Sequence, residues 1–201
     1  MPKLPLFPLD LVLLPGISVP LHIFEPRYKE MIGECLAHKK PFGIVRAQQD
    51  AAVAEIGCTA EIVEVAKRYD DGRLDIVALG GRRFEILEVN QDRSFLQAEV
   101  LFFEDEDAPV GADRRRRALD LYAQILACVG SQGEVDTETA TLSYQLASTL
   151  PIDLDFKQAL LGIRSEAERL DALIQFFEAI LPKLQKAARR REKAGGNGHV
   201  P

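Results

Sequence analysis

Apolar residues change their spacing part-way along this 201-residue chain. From Leu4 to about Phe103 they come in short runs or alternate with polar residues, as extended strands require. The opening stretch, LPLFPLDLVLLPGISVPLHIFEPRY from Leu4 to Tyr28, carries Pro5, Pro8, Pro15 and Pro20. Each proline fixes φ and removes a backbone donor, so the segment predicts short extended pieces joined by turns. These prolines and Asp10 exclude the unbroken apolar helix of a secretory leader. Val19–Phe24 is a short strand. Pro26 suits a first helical turn, and Tyr28, Met31, Ile32 and Cys35 follow at helical spacing, which predicts a helix over Pro26–Ala37. Phe42–Ala47 and Gly57–Tyr69 read as strands, and Asp70-Asp71-Gly72-Arg73 as a hairpin turn that returns the chain into Leu74–Leu79. Gly80-Gly81 interrupts the pattern before two further strands, Arg82–Val89 and Phe95–Phe103. About six closely spaced strands with one inserted helix predict a small, partly closed barrel.

The acidic run Glu104–Asp113 contains Pro109 and Gly111 and marks a boundary. Past it the period is helical. Leu119, Tyr122, Leu126 and Val129 form one candidate buried stripe. Gly130–Val135 breaks that helix, Thr137–Leu150 predicts another stopped by Pro151, and Asp155–Ile163 a short one capped by Asp153 or Asp155. Ser165-Glu166-Ala167-Glu168 has capping-box spacing ahead of a stripe of Leu170, Leu173, Ile174, Phe177 and Leu181. Pro182 is expected to kink or end this helix. The tail from Ala187 is expected to fray into disorder. The division expected is therefore a barrel over 1–108, a helical bundle over 109–188 and a disordered polar tail over 189–201.

Composition narrows the function. Hydrophobic residues make up 47% and charged residues 28%, as in an ordinary globular protein. No window approaches the roughly 18 apolar residues of a membrane helix. Cys35, Cys58 and Cys128 are odd in number and widely spaced, so they read as reduced thiols of a cytoplasmic protein, neither a disulfide framework nor a zinc site. The net charge of −6 is uneven: residues 1–110 hold 12 Lys/Arg against 19 Asp/Glu, or −7, and the remainder 13 against 12, or +1. An acidic first half argues against a surface that tracks phosphates.

The ordered blocks LPLFPLDLVLLPG, PLHIFEPRYKEMI, FGIV, GCTAEI and GGRRFEI together closely resemble the N-terminal substrate-binding domain of Lon proteases. The resemblance is dense over the barrel half and looser over LPIDLDFKQALLGIRSEAERLDAL. It implies an α+β fold, with an N-terminal PUA-like β pseudo-barrel holding one inserted helix and a C-terminal α-helical bundle after it. It also implies binding of unfolded or partner polypeptides, in the manner of an adaptor or chaperone-like holder, without a membrane. A full Lon protease adds an ATPase and a Ser-Lys peptidase. This chain has no G-x-x-x-x-G-K-[ST] phosphate cradle, Ser143 falls mid-helix and Ser165 reads as a cap. A stand-alone, non-enzymatic version with no cofactor is therefore expected. The alternative is an RNA-binding PUA-like module, which rests on fold analogy alone.

In the EPRY block, Glu25 and Arg27 are candidates to present polar groups beside an apolar groove next to the first helix, with Tyr28 in its wall. The competing reading has Arg27 tie that helix to the barrel through a buried pair, with Tyr28 as core. Leu13, Leu14, Pro15 and Phe24 are candidates for the apolar part of a peptide-binding surface, or else core. Cys35, His38 and His22 fall short of a four-ligand zinc site. Asp70, Asp71 and Asp75 flank a hairpin tip and suit the turn better than catalysis. Arg114–Arg117, in a first helical turn, oppose the helix dipole. They are either a docking patch for an acidic partner or RNA, or a solvated helix start offset by Asp113 and the acidic 104–107 run.

Overall fold

The computed structural model describes residues 2–49, 52–106, 108–131 and 135–195. Six strands and five helices follow in order: β1 (Lys3–Leu9), β2 (Ser18–Ile23), α1 (Pro26–His38), β3 (Phe42–Arg46), β4 (Ile56–Arg68), β5 (Leu74–Asn90), β6 (Gln97–Phe103), α2 (Ala112–Val129), α3 (Leu142–Thr149), α4 (Leu154–Gly162) and α5 (Glu166–Gly195). They divide into two compact units. One comprises Met1–Asp105 with Pro151–Arg164, the other Glu106–Leu150 with Ser165–Pro201.

In the strand-rich unit the sheet runs β2-β5-β4-β3-β1-β6, and β6 pairs again with β5. That last pairing closes β5, β4, β3, β1 and β6 into a ring, a pseudo-barrel, with β2 lying along the first half of β5. β1 and β3 are parallel, with Leu6 beside Gly43, and the other pairings are antiparallel. Closure removes free edges within the ring itself. The interior is filled by Leu4, Leu6, Val45, Phe84, Ala98 and Val100. The Phe84 ring needs bare backbone beneath it: a Cβ at Gly57 would lie 2.5 Å from its tip, and one at Gly43 2.7 Å.

The expected break at Gly80-Gly81 is absent, and β5 runs unbroken for 17 residues. Gly80 instead serves a close approach. Its carbonyl accepts from the Gly16 N–H at 2.9 Å and its N–H donates to the Ile17 carbonyl at 2.9 Å. The turn after Leu14 thereby docks on the strand. The Asp70–Arg73 turn is present as expected, closed by Gly72 N–H to the Tyr69 carbonyl at 3.0 Å.

Helix α4, expected among the C-terminal helices, joins the strand-rich unit. Asp153 caps it by accepting from the Phe156 N–H at 2.8 Å, and Gln158 donates to the Ile56 carbonyl at 2.9 Å. The reason it belongs here is Arg83. This buried side chain donates to the carbonyls of Leu161 (3.1 Å) and Ile163 (2.6 Å) at the end of α4 and pairs with Asp105. A desolvated guanidinium demands such acceptors.

In the helical unit, α2 buries Ala118, Leu121, Tyr122 and Ile125, one step away from the expected stripe. Of that stripe only Tyr122 is fully buried; Leu119 and Leu126 are half-buried and Val129 is exposed. Helix α3 is shorter than expected, starting at Leu142. On α5, Leu170, Leu173, Phe177 and Leu181 are buried as expected and Ile174 partly so. Pro182 lies inside α5, which continues to Gly195, so residues 187–195 are helix where disorder was expected. Residues 196–201 of that expected tail lie outside the described residues. Arg169 is fully buried: it pairs with Glu166 at 2.8 Å, donates to the Ser143 hydroxyl at 2.9 Å and lies 4.3 Å over the Tyr144 ring.

Candidate functional site

Helix α1 is set by its own sequence. Glu25 is extended at the N-cap, Pro26 occupies the first turn, and Tyr28, Met31, Ile32 and Cys35 fall on the buried face. Its exposed flank is then clamped from outside. Arg93, in the turn between β5 and β6, bonds Glu34 at 2.8 Å and Glu30 at 2.7 Å, and its guanidinium lies 4.6 Å over the Phe95 ring. The Ser94 hydroxyl donates to Glu30 at 2.6 Å. The Ser94 and Arg93 bonds hold the Glu30 carboxyl below its ordinary range, and Arg93 does the same to Glu34.

Two clefts border α1, with Phe95 in the wall of both. One, of about 440 Å³, is lined by Arg27 and Tyr28 together with Pro8, Gln48, Val53 and Leu96. The other, of about 500 Å³, is lined by Leu4, Pro5, Met31, Cys35, His38 and Lys40 among others. Both mix apolar side chains with polar ones, among them Gln48, Arg93 and Ser94 in the first and Glu34, His38 and Lys40 in the second, a make-up able to accept a ligand's apolar parts and orient its polar ones. Tyr28 packs on Phe7 with ring centroids 4.1 Å apart, and burial raises its hydroxyl pKa. Arg27 does not anchor α1 through a buried pair. It is exposed, bonded to its neighbour Glu25 at 2.9 Å, and its guanidinium lies 4.7 Å over the Tyr28 ring.

The other expected site residues separate. Leu13 and Leu14 are 3% and 2% exposed and face the core, so they offer no surface to a partner; the docked turn at Gly80 pulls them in. Pro15 is half-buried beside that turn. Phe24 is 58% exposed, the most exposed of the large apolar side chains among the described residues. It stands over a polar-aromatic group that sequence reading did not assemble. Its ring stacks on His22 (5.8 Å), His22 bonds Asp75 at 2.5 Å, and the Tyr69 hydroxyl donates to Asp75 at 2.8 Å. These bonds from His22 and Tyr69 lower the Asp75 carboxyl. Lys67 and Arg73 lie 4.5 and 4.8 Å over the Tyr69 ring. The signal for this group was cross-strand register: His22 lies opposite Asp75, and Asp75 opposite Lys67. Arg93 and Phe95 were also missed, because a turn residue reaching 59 positions back leaves no local pattern.

Burial raises the Cys35 thiol to about 11 and the Cys58 thiol to about 12, so neither is a nucleophile at neutral pH. Ser143 is buried and bonded to Glu166 and Arg169, and Ser165 caps α5 through the Glu168 N–H at 3.3 Å. Among the described residues no group of three or more His, Cys, Asp or Glu could hold a metal ion, and no helix is long and apolar enough to cross a membrane.

Residues 3–178 match the family model described as the ATP-dependent protease La (LON) substrate-binding domain. Among curated proteins, Lon protease 1 of Hydrogenovibrio crunogenus is 24% identical over 90% of this chain, and Lon protease 1 of Syntrophobacter fumaroxidans 28% identical over 92%. The chain spans about a quarter of the length of each, 24% and 25%. Among solved structures, the Lon N-terminal domain protein from Xanthomonas campestris superposes with a TM-score of 0.72 at 28% identity, covering 87% of this chain and 98% of that one. The N-terminal domain of the Mycobacterium avium complex Lon protease gives a TM-score of 0.66 at 20% identity, covering 88% and 98%, a likeness of fold.

Proposed function

The chain belongs to the LON substrate-binding domain family, and from that premise we propose that it is a non-enzymatic module that holds unfolded or partner polypeptides as an adaptor or chaperone-like holder. The observation that carries this reading is the pair of clefts bordering α1, lined by apolar and polar side chains together, with Arg27 and Tyr28 in the wall of one. Phe24 and Arg27 are exposed and Glu25 half-buried at the start of the same helix, and together they extend the surface. Pro15 is peripheral to it. A cytoplasmic location fits the three unpaired thiols, two of them buried.

The RNA-binding alternative loses its main cationic support. Arg114 bonds Asp171 at 2.7 Å, Arg115 the carbonyls of Thr137 and Thr139, Arg116 Asp113 at 2.8 Å and Arg117 Glu178 at 2.6 Å. Arg114 and Arg117 join α2 to α5, Arg115 joins it to the chain before α3, and Arg116 pairs within α2, so the row is bonded inside its own unit.

The test compares a carboxymethylated, permanently unfolded model protein with its native form, and with single-stranded RNA, across a range of salt. Selective binding of the unfolded form, weakened by Phe24→Ser and Arg27→Ala, is expected. Equal retention of native and unfolded forms, or RNA binding with a steep salt slope, would sink the proposal.

A further inference from the structure

Strand β4 is longer than its cover. β5 follows it from Ile56 to Arg68, but β3 pairs with it only at Cys58–Ala60. Among the described residues no strand pairs with the other edge of Glu61–Arg68. With β2 on the far side of β5, this half of β4 is the rim of a three-stranded ribbon outside the closed ring. Register fixes which residues share its faces. Lys67, Asp75 and His22 lie in one row on the outer face, and Glu64 lies opposite the Val77–Pro20 pair. On the inner face Val65 lies opposite Ile76 and Ile62 opposite Ala78. Ile76 and Ala78 are buried, whereas Ile62 and Val65 are only half-buried, so the apolar layer ends unfinished at this rim. Val63, the extra residue in the bulge between them, is 54% exposed.

We propose that the Glu61–Arg68 edge of β4 captures an extended polypeptide segment as an added strand, preferring one whose residues alternate apolar and polar. This deepens the polypeptide-binding reading above and rests on it. Unpaired N–H and C=O groups along a strand recognise any extended backbone, which suits a site that takes many sequences. An added strand would place alternate side chains against Ile62 and Val65 on one face and beside Glu64 and Lys67 on the other. That alternation is the pattern of half-buried strands, hidden in folded proteins and released when they unfold. The bulges at Ile62/Glu64 and Val65/Lys67 decide against a second copy as occupant. They bend the edge and divide it into short pairing windows, which a flexible segment follows and an equally bulged rigid strand does not.

The test uses the full chain and an eight-residue peptide of alternating Val and Thr with a Lys at each end. Peptide binding is expected to slow hydrogen exchange across Glu61–Arg68. Val63→Pro, in a bulge where proline is tolerated, is expected to retain the melting temperature and weaken binding by at least ~10-fold, the scale of one or two lost hydrogen bonds. With the unmodified protein, methylating alternate peptide nitrogens on the edge-facing register is expected to abolish binding, and the same pattern displaced by one residue to spare it. Protection confined to Tyr28, Phe95 and their clefts would overturn the edge while leaving polypeptide binding intact. Failure of the unfolded model protein to bind would overturn both. Protection of Glu61–Arg68 in a concentration-dependent dimer without peptide would replace the proposed occupant by a second copy.

Discussion

The carbonyl oxygen of Leu14 fills the space that a side chain at Gly80 would need. The obstruction is backbone, fixed by the hydrogen bonds that Gly80 exchanges with Gly16 and Ile17, so it has little room to yield. Gly80→Ala is expected to destabilise the protein by ~1–3 kcal/mol, as overpacking does. Gly33, on an exposed face of α1 with open space where a Cβ would stand, is the contrast. Gly33→Ala is expected to stabilise by ~0.5–1 kcal/mol through helix propensity. Urea denaturation of both variants checks the opposite signs.

Arg83 is the second point of sensitivity. Arg83→Ala removes the donor to the Leu161 and Ile163 carbonyls and the cation paired with Asp105, and breaking a buried charged network by removing one partner typically costs ~3–5 kcal/mol. Arg83→Lys keeps the charge but lacks the fork that reaches both carbonyls and the carboxylate, so it is expected to recover only part of the loss. Hydrogen exchange localises the effect: amides of α4 should open first. Uniform acceleration across the barrel would argue that Arg83 acts on the core alone.

The Arg93 clamp predicts a pH response of defined sign. Glu30 and Glu34 are held below their ordinary value of 4.5, so the clamp is intact above that pH and is lost as pH falls through the lowered values. In Arg93→Ala the Glu34 carboxyl is expected to titrate close to its ordinary value. Glu30, whose largest influence is the Ser94 bond, should return only part of the way. Carbon NMR titration of the two carboxyls reads this directly, and unshifted midpoints in the variant would refute the clamp.

Along the arginine row, stability should depend on partner rather than charge. Arg116 is 73% exposed and faces an Asp113 that is 93% exposed, so Arg116→Ala is expected to change stability by less than ~0.5 kcal/mol. Arg115→Ala removes the donor from two partly water-accessible carbonyls ahead of α3 and is expected to cost ~0.5–1.5 kcal/mol. Thermal melts at low and high salt separate the two, because only exposed pairs are screened.

What was legible in the chain was whatever repeats at short range. The prolines of Leu4–Tyr28, the buried face of α1, the Asp70–Arg73 turn and the α5 stripe all follow from neighbouring residues, and the family blocks add the barrel. Gly80-Gly81 misled because a glycine pair breaks a strand unless another backbone lies against it, and that backbone comes from more than 60 positions earlier in the chain. The α2 stripe slipped because Leu119 and Ala118 both sit on plausible faces, and only packing within its unit selects between them. At the candidate site, Arg27 and Tyr28 were legible in their motif. Leu13 and Leu14 were apolar residues whose side had to be chosen, and the docked turn chose the core. Arg93, Phe95 and the His22–Asp75–Tyr69 group depend on register and long-range reach, to which a single sequence gives no index.

The membership of α4 in the strand-rich unit bears on how the chain is made. The barrel's last strand is complete at Phe103, yet the acceptors for its buried Arg83 lie at Leu161 and Ile163, nearly 60 residues later. At synthesis rates of roughly 5–20 residues per second, several seconds separate the two. Until then a guanidinium destined for burial lacks two of its partners, and the emerging barrel is a foldable but unfinished body. A fragment ended at residue 108 would remain in that state permanently, whereas one extended through Arg164 would carry every acceptor named here.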